Sequence, residues 1–301
     1  MAHCLLGVLV AFLHSFQRKV ERFLETPGDL PAPPEGRAIA LANLCPPLRE
    51  LAERLAQSGH PESEGRRREA SAALGRVTRT CGQHLTRRLL EELKPHFARL
   101  MKRKWPSGSD AFDAIVVLVT GFGQSLRALH PEPHQVLVSE LHRRVLLAYV
   151  RPLLQGRQLC PSAKARARLA ARLGEEGRQL RELFSRLDSA SPWLDSVVPR
   201  LRELLVLEDT AALQMEVGAL ARDFPDVRRR HVAALLDARG LRAPGPRREI
   251  LGVLQDLEGS EAEPGPARYR AFFSELPPPR PVRCLPFPLR LPRLGPAGTP
   301  P

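Results

Sequence analysis

The stretch Leu74-Gly-Arg-Val77-Thr-Arg-Thr-Cys81-Gly-Gln-His-Leu85-Thr-Arg-Arg-Leu89-Leu-Glu-Glu-Leu93-Lys-Pro-His-Phe97-Ala-Arg-Leu100-Met101 decides the fold class. Its apolar residues recur every three or four positions, with charges between them, which is the pattern of a helix burying one stripe. The spacing predicts one long helix over 63–104, bent near Pro95, which removes a ladder hydrogen bond.

The same period continues in both directions. Upstream, helices are expected over 3–25 and 38–57, the second kinked or split at Pro46-Pro47. Downstream, they are expected over 110–129, 134–158, 162–187, 192–204, 209–223, 225–240 and 247–257, with a last turn or two over 268–276. Ser191 reads as an N-cap with Pro192 at the first helical position. Asp226 reads as an acid in the first turn of a helix that stops at Gly240. No segment alternates as a strand does, so the expected class is all-α.

Composition agrees. The chain has 301 residues, 43% hydrophobic and 26% charged, enough to bury a core. The segment 259–301 carries 12 of the 30 prolines and reads as a disordered or polyproline tail. The expected organisation is a helical bundle over 1–130, a second over 131–276 and the Pro-rich tail over 277–301. Five dispersed cysteines with no C-x-x-C pair suit reduced thiols in the cytosol. The apolar run from Cys4 to Leu13 has no basic residue before it, and charges arrive too soon for a bilayer span, so it reads as a buried helix.

Nothing in the sequence assembles chemistry. The segment Ala114-Ile-Val-Val-Leu-Val-Thr-Gly-Phe-Gly-Gln-Ser-Leu126 imitates a strand and phosphate loop, yet Leu126 stands where the third glycine is needed. His130-Pro-Glu-Pro-His134 lacks further ligands for a metal, and its prolines read as holding an extended connector. Pairs such as Glu91-Glu92 and Glu175-Glu176 read as solvated faces. The expectation is a non-enzyme with no cofactor and no metal. The net charge of +13 points to an acidic partner, although 41 arginines against five lysines can equally reflect coding bias. Three clusters concentrate the charge: Arg66, Arg67 and Arg68; Lys102, Arg103 and Lys104; Arg228, Arg229 and Arg230. They are candidate contacts for anionic phospholipids or partners. Nucleic acid is not expected, because no aromatics interleave the basic residues.

The run 213–240, with Phe224-Pro225-Asp226 followed by Leu235-Leu236-Asp-Ala-Arg239-Gly240, resembles the C-terminal signature of the exocyst complex component 3-like family. Leu41-Ala-Asn-Leu-Cys-Pro-Pro-Leu-Arg-Glu50 and the segment 269–276 with Phe272-Phe273 are similar to other segments of that family. The resemblance implies an elongated rod of stacked antiparallel helix bundles that tethers secretory vesicles. It also implies binding to SNARE proteins and exocyst subunits, in the cytoplasm at the plasma membrane or on vesicles. The family extends further on its N-terminal side than this chain, and the stretch after Leu276 runs past the family's usual end.

Overall fold

A computed structural model describes residues 2–25, 34–57, 62–100, 110–155, 159–160, 162–259 and 270–276. Among them are eleven α-helices and no strand: α1 (Ala2–Glu25), α2 (Pro34–Asn43), α3 (Cys45–Ala56), α4 (Ser63–Arg99), α5 (Asp110–Ser125), α6 (Pro131–Val150), α7 (Ala163–Arg186), α8 (Val197–Val206), α9 (Thr210–Asp223), α10 (Arg229–Arg239) and α11 (Pro244–Gly259). The all-helical architecture is the one the 3.6-residue period requires.

Helix α4 is the spine of the first half. Leu74, Val77, Cys81, Leu85, Leu89 and Leu93 are all buried on it, and α1, α2, α3, α5 and α6 each pack against it. Arg66 Nη1 donates to the carbonyl of His3 (3.1 Å), and Arg76 Nε donates to Gln17 Oε1 (2.8 Å), so α1 and α4 run in the same direction. Helices α2 and α3 return between them: Glu35 meets Arg88 at 3.1 Å, while Cys45 lies beside Thr78. The break between α2 and α3 has a covalent cause. Pro46 supplies no N–H and its ring crowds the carbonyl four residues back, so the first ladder stops at Asn43.

Asn43, the sole asparagine of the chain, sits at that break. Its Nδ2 donates to the Ala128 carbonyl (2.9 Å) and its Oδ1 accepts from the His130 N–H (2.7 Å). One side chain thereby fixes the connector between α5 and α6. Two expectations for this region fail. Pro131 and Pro133 do not extend the chain; they form the first turn of α6, where missing N–H groups cost nothing because those donors have no helical partner. Ser191 makes no side-chain cap, and Pro192–Ser196 is a 3-10 turn before α8.

Each later helix packs mainly on its sequence neighbours: α7 on α8, α8 on α9 and α10, α9 and α10 on α11. Arg202 Nε reaches the Ala170 carbonyl (3.2 Å) and Arg166 pairs with Glu208 (2.9 Å), which sets α7 and α8 antiparallel. The buried apolar residues form one continuous cluster from Leu6 to Leu276. The result is a stack of antiparallel bundles in one elongated array. Gly123 shows how tightly α5 is drawn in, since a Cβ there would lie 2.4 Å from Leu187 Cδ2. The stretch Asp110–Ala128 has the length and apolarity of a membrane span, yet Phe112, Ile115, Val119 and Leu126 all face the protein core.

A buried polar pair ties α6 to α7. Tyr149 Oη donates to Glu176 Oε2 (2.7 Å), and Arg172 Nε donates to Glu176 Oε1 (2.7 Å). Glu176 is 2% exposed, which corrects the reading of Glu175-Glu176 as a solvated pair; Glu175 alone faces water. Burial and the neighbouring carboxylate push the Tyr149 hydroxyl well above its ordinary pKa, so it stays a donor. Tyr149→Phe strips one hydrogen bond from a buried charge and is expected to cost about 1.5–3 kcal/mol, read as a lower urea midpoint with unchanged helical circular dichroism.

Candidate functional site: the C-terminal clamp and its groove

The residues singled out in 213–240 converge on one assembly. Phe224 ends α9 with its ring fully buried. It packs 5.9 Å from Phe272 and 5.6 Å from Phe273, centroid to centroid, with Trp193 on another side at 5.8 Å. Pro225 and Asp226 form a turn, and α10 begins only at Arg229. Asp226 therefore does not sit in the first turn of a helix, as its sequence position suggested. Its Oδ2 instead accepts the backbone N–H groups of Phe272 (2.6 Å) and Ser274 (2.8 Å), 46 and 48 residues away.

The rest of the signature is structural in the same sense. Leu235 and Leu236 lie in the core. Gly240 adopts φ 85°, the left-handed region where a side chain is strained. Its N–H bonds to Asp237 O and the Leu241 N–H to Leu236 O, the two bonds of a Schellman cap. Arg239 is 6% exposed and donates to Leu204 O (2.9 Å) and Leu207 O (2.5 Å), placing its charge at the C-terminal end of α8. Burial lowers its pKa from the usual guanidinium value.

The short segment 270–276 is thus held from three sides. Arg270 lies over the Trp193 ring at 5.9 Å, and Arg143 of α6 donates to Ala271 O (3.0 Å) and pairs with Glu275. Arg143 also lines a cavity of about 730 Å³ between α3, α4 and α6, whose walls include Arg49, Arg79, Gly82, Val136 and Glu140. Its walls combine the guanidinium groups of Arg49, Arg79 and Arg143 with the carboxylates of Glu132 and Glu140 and the apolar Val136 and Leu137.

The predicted basic clusters fare unequally. Arg67 and Arg68 share the Glu64 carboxylate at 2.7 and 2.9 Å, and these bonds hold Glu64 down at about 2. Arg66 pairs with Glu62 and the His3 carbonyl. That cluster is largely neutralised by its own helix. Lys102, Arg103 and Lys104 lie outside the described residues. Arg228 donates to Pro225 O and Val227 O, Arg230 lies beside His231 at 3.1 Å, and Arg229 is exposed. The cluster 66–68 lies in the first turns of α4 and the cluster 228–230 at the start of α10.

One constellation escaped sequence reasoning because its members are far apart. Ser189 Oγ lies 3.1 Å from His142 Nδ1, and Asp195 Oδ1 lies 3.6 Å from His142 Nε2, beside a cavity of about 330 Å³. Burial holds the His142 imidazole down at about 4 and raises Asp195, and His142 is stacked on Phe184 at 4.1 Å. At 3.6 Å the Asp195 contact is too long for a hydrogen bond, so the three side chains are not linked as a triad. Cys81 is likewise pushed up to about 12 by burial, and Cys45 and Cys160 are raised, leaving no reactive thiolate among them.

With this geometry established, relatives can be compared. The family model for exocyst complex component Sec6 matches residues 2–241. The chain belongs to the Sec6 exocyst family. The mouse exocyst complex component 3-like protein is 36% identical over 284 residues, covering 92% of this chain and 38% of that protein. Human tumor necrosis factor alpha-induced protein 2 is 26% identical over 259 residues, covering 85% and 38%. The chain therefore spans under half the length of these relatives. Among solved structures, M-Sec superposes with a TM-score of 0.79 at 21% identity over 91% of this chain and 46% of M-Sec. The C-terminal domain of the exocyst subunit Sec6p gives 0.66 at 12% identity over 89% and 79%. The Sec6-family fold thus accounts for the helical stack.

Two outcomes test this site. Asp226→Ala removes two charge-assisted hydrogen bonds and is expected to weaken the anchoring of 270–276 by about 2–4 kcal/mol, seen as faster amide exchange at Phe272 and Ser274; Asp226→Asn should do less harm. The buried imidazoles His142 and His231 are both held near 4 by desolvation. The unfolded chain takes up their protons near 6.5, so stability is complete above that pH and falls as pH drops toward 4. The loss is on the order of 3 kcal/mol for each group, with raised Asp195 offsetting part of it. Chemical denaturation at pH 7 and pH 4.5 measures it, and His142→Gln should flatten the profile.

Proposed function

We propose that this chain is a scaffold of exocyst type, which tethers vesicles in exocytosis by binding other exocyst subunits through its helical surfaces. The Sec6 family match over residues 2–241 carries the reading. The packing is consistent with it: a continuous apolar core, and buried thiols and imidazoles whose pKa values burial shifts. Within the chain, the bundles over 1–130 and 131–276 act as successive segments of one stack. SNARE proteins are further partners of the same surfaces, and the working location is cytoplasmic, peripheral to the plasma membrane or secretory vesicles.

A peripheral adaptor that binds anionic phospholipid is the alternative. It rests mainly on Arg228, Arg229 and Arg230, because acidic neighbours within α4 already occupy Arg66, Arg67 and Arg68. Affinity capture of the tagged chain from secretory cells, with quantitative mass spectrometry, tests the scaffold reading. Enrichment of exocyst subunits at least tenfold over a tag control is expected. Capture without any exocyst subunit, alongside salt-sensitive flotation with phosphatidylserine vesicles, would overturn it in favour of the adaptor.

A further inference from the structure

Helix α1 buries Leu6, Leu9, Val10, Leu13, Val20 and Leu24 against α3 and α4, yet the flank beside that stripe is apolar too. Leu5, Val8 and Phe12 are 51%, 68% and 53% exposed. With exposed Cys4 and Ala11 beside them, their spacing of three and four residues forms an apolar face of the kind by which one helix packs on another. Phe12 is stacked on Phe16 at 6.0 Å with the rings 7° apart, which fixes its ring in place. Leu51 of α3, which packs on α1, and Leu44 just before that helix are also exposed, at 37% and 49% and seven residues apart.

We propose that α1, with α3, forms a docking seam for an amphipathic helix of another protein, leucine-rich along one side and carboxylate-bearing beside it, which completes a four-helix bundle. Helices α1, α3 and α4 form three sides of such a bundle, and the seam lies where a fourth member would pack. Charge selects the kind of helix. No acidic residue occurs between Ala2 and Val20, and the exposed Arg18 and Lys19 follow the apolar seam. A second copy of this face is disfavoured because it would set the same cations, Arg18 and Lys19, against each other with no carboxylate between Ala2 and Val20. A bilayer would use the same apolar face, and vesicle sedimentation below separates it from a helix. The proposal rests on the scaffold reading and deepens it by naming a surface and a partner chemistry.

The test uses the full chain and two synthetic 21-residue helical peptides, both with leucine at heptad positions a and d, one with glutamate and one with lysine at e and g. Fluorescence anisotropy should show the glutamate peptide binding at least tenfold more tightly than the lysine peptide. The Val8→Glu/Phe12→Glu double variant should lose at least tenfold in affinity. Arg18→Glu/Lys19→Glu, which leaves the core untouched, should reverse the peptide preference. Met215→Glu, at an exposed position on α9, should bind as the parent does. Equal affinity for the two peptides, or binding indifferent to both double variants, overturns the proposal. So does a stable dimer in light scattering that dissociates on Phe12→Glu, or sedimentation with phosphatidylserine vesicles that depends on Phe12. Failure here leaves the capture of exocyst subunits unaffected, so the two readings fail separately.

Discussion

The structure depends on burying one leucine stripe along α4. A helix of 37 residues is about 55 Å long, far more than a single compact core spans, so its buried residues must be covered by several partners in succession. Helices α1, α2, α3, α5 and α6 share that cover, with α2 reaching Arg88 in the C-terminal half and α6 lying beside Gly82 in the middle. At roughly 25 cal/mol per Å² of apolar surface, that burial outweighs any single polar contact in the molecule. The stacked form follows, because each bundle hands an uncovered helix face to the next.

Polar groups then decide register within the stack. Asn43 locks the α5–α6 connector, Glu176 aligns α6 with α7, and Asp226 anchors a segment nearly fifty residues away. These contacts are few, and each satisfies a buried or half-buried group that would otherwise be costly to leave unpaired. Their spacing along the array explains why a helical scaffold, whose apolar stripes could slide by a turn, adopts one arrangement.

Helix positions were legible because period 3.6 is a local property. The long helix, the Gly240 stop and the break at Pro46 all came from residues within one or two turns. What could not be read locally was misjudged. The role of Asp226 depends on Phe272 and Ser274, and nothing near residue 226 reveals them. Glu176 looked solvated because its partner Tyr149 is on another helix. Pro131 and Pro133 were taken as extended, although prolines suit a helix start as well as a connector. Helix α1 was read as buried, and only the exposure of each side separates its inner stripe from its outer one. The basic clusters are visible as charge, but the carboxylates of Glu62 and Glu64 that occupy the first lie at the N-cap and in the first turn of α4, within four residues of it.

The excess of arginine acquires a structural meaning from its contacts. Arg239 bonds carbonyls at the end of α8, Arg202 reaches Ala170, Arg143 reaches Ala271, and Arg247 reaches Ala233 and Leu241. In each case a planar fork on a long stem spans from one helix to backbone acceptors on another element or turn, which a lysine ammonium matches poorly. These guanidinium groups hold the stack together, and Arg239 does so at the end of α8, where carbonyls lack helical partners. The net charge of the chain therefore overstates its electropositive surface, and the sites that matter for partners are those where a cation stands exposed beside an uncovered apolar seam.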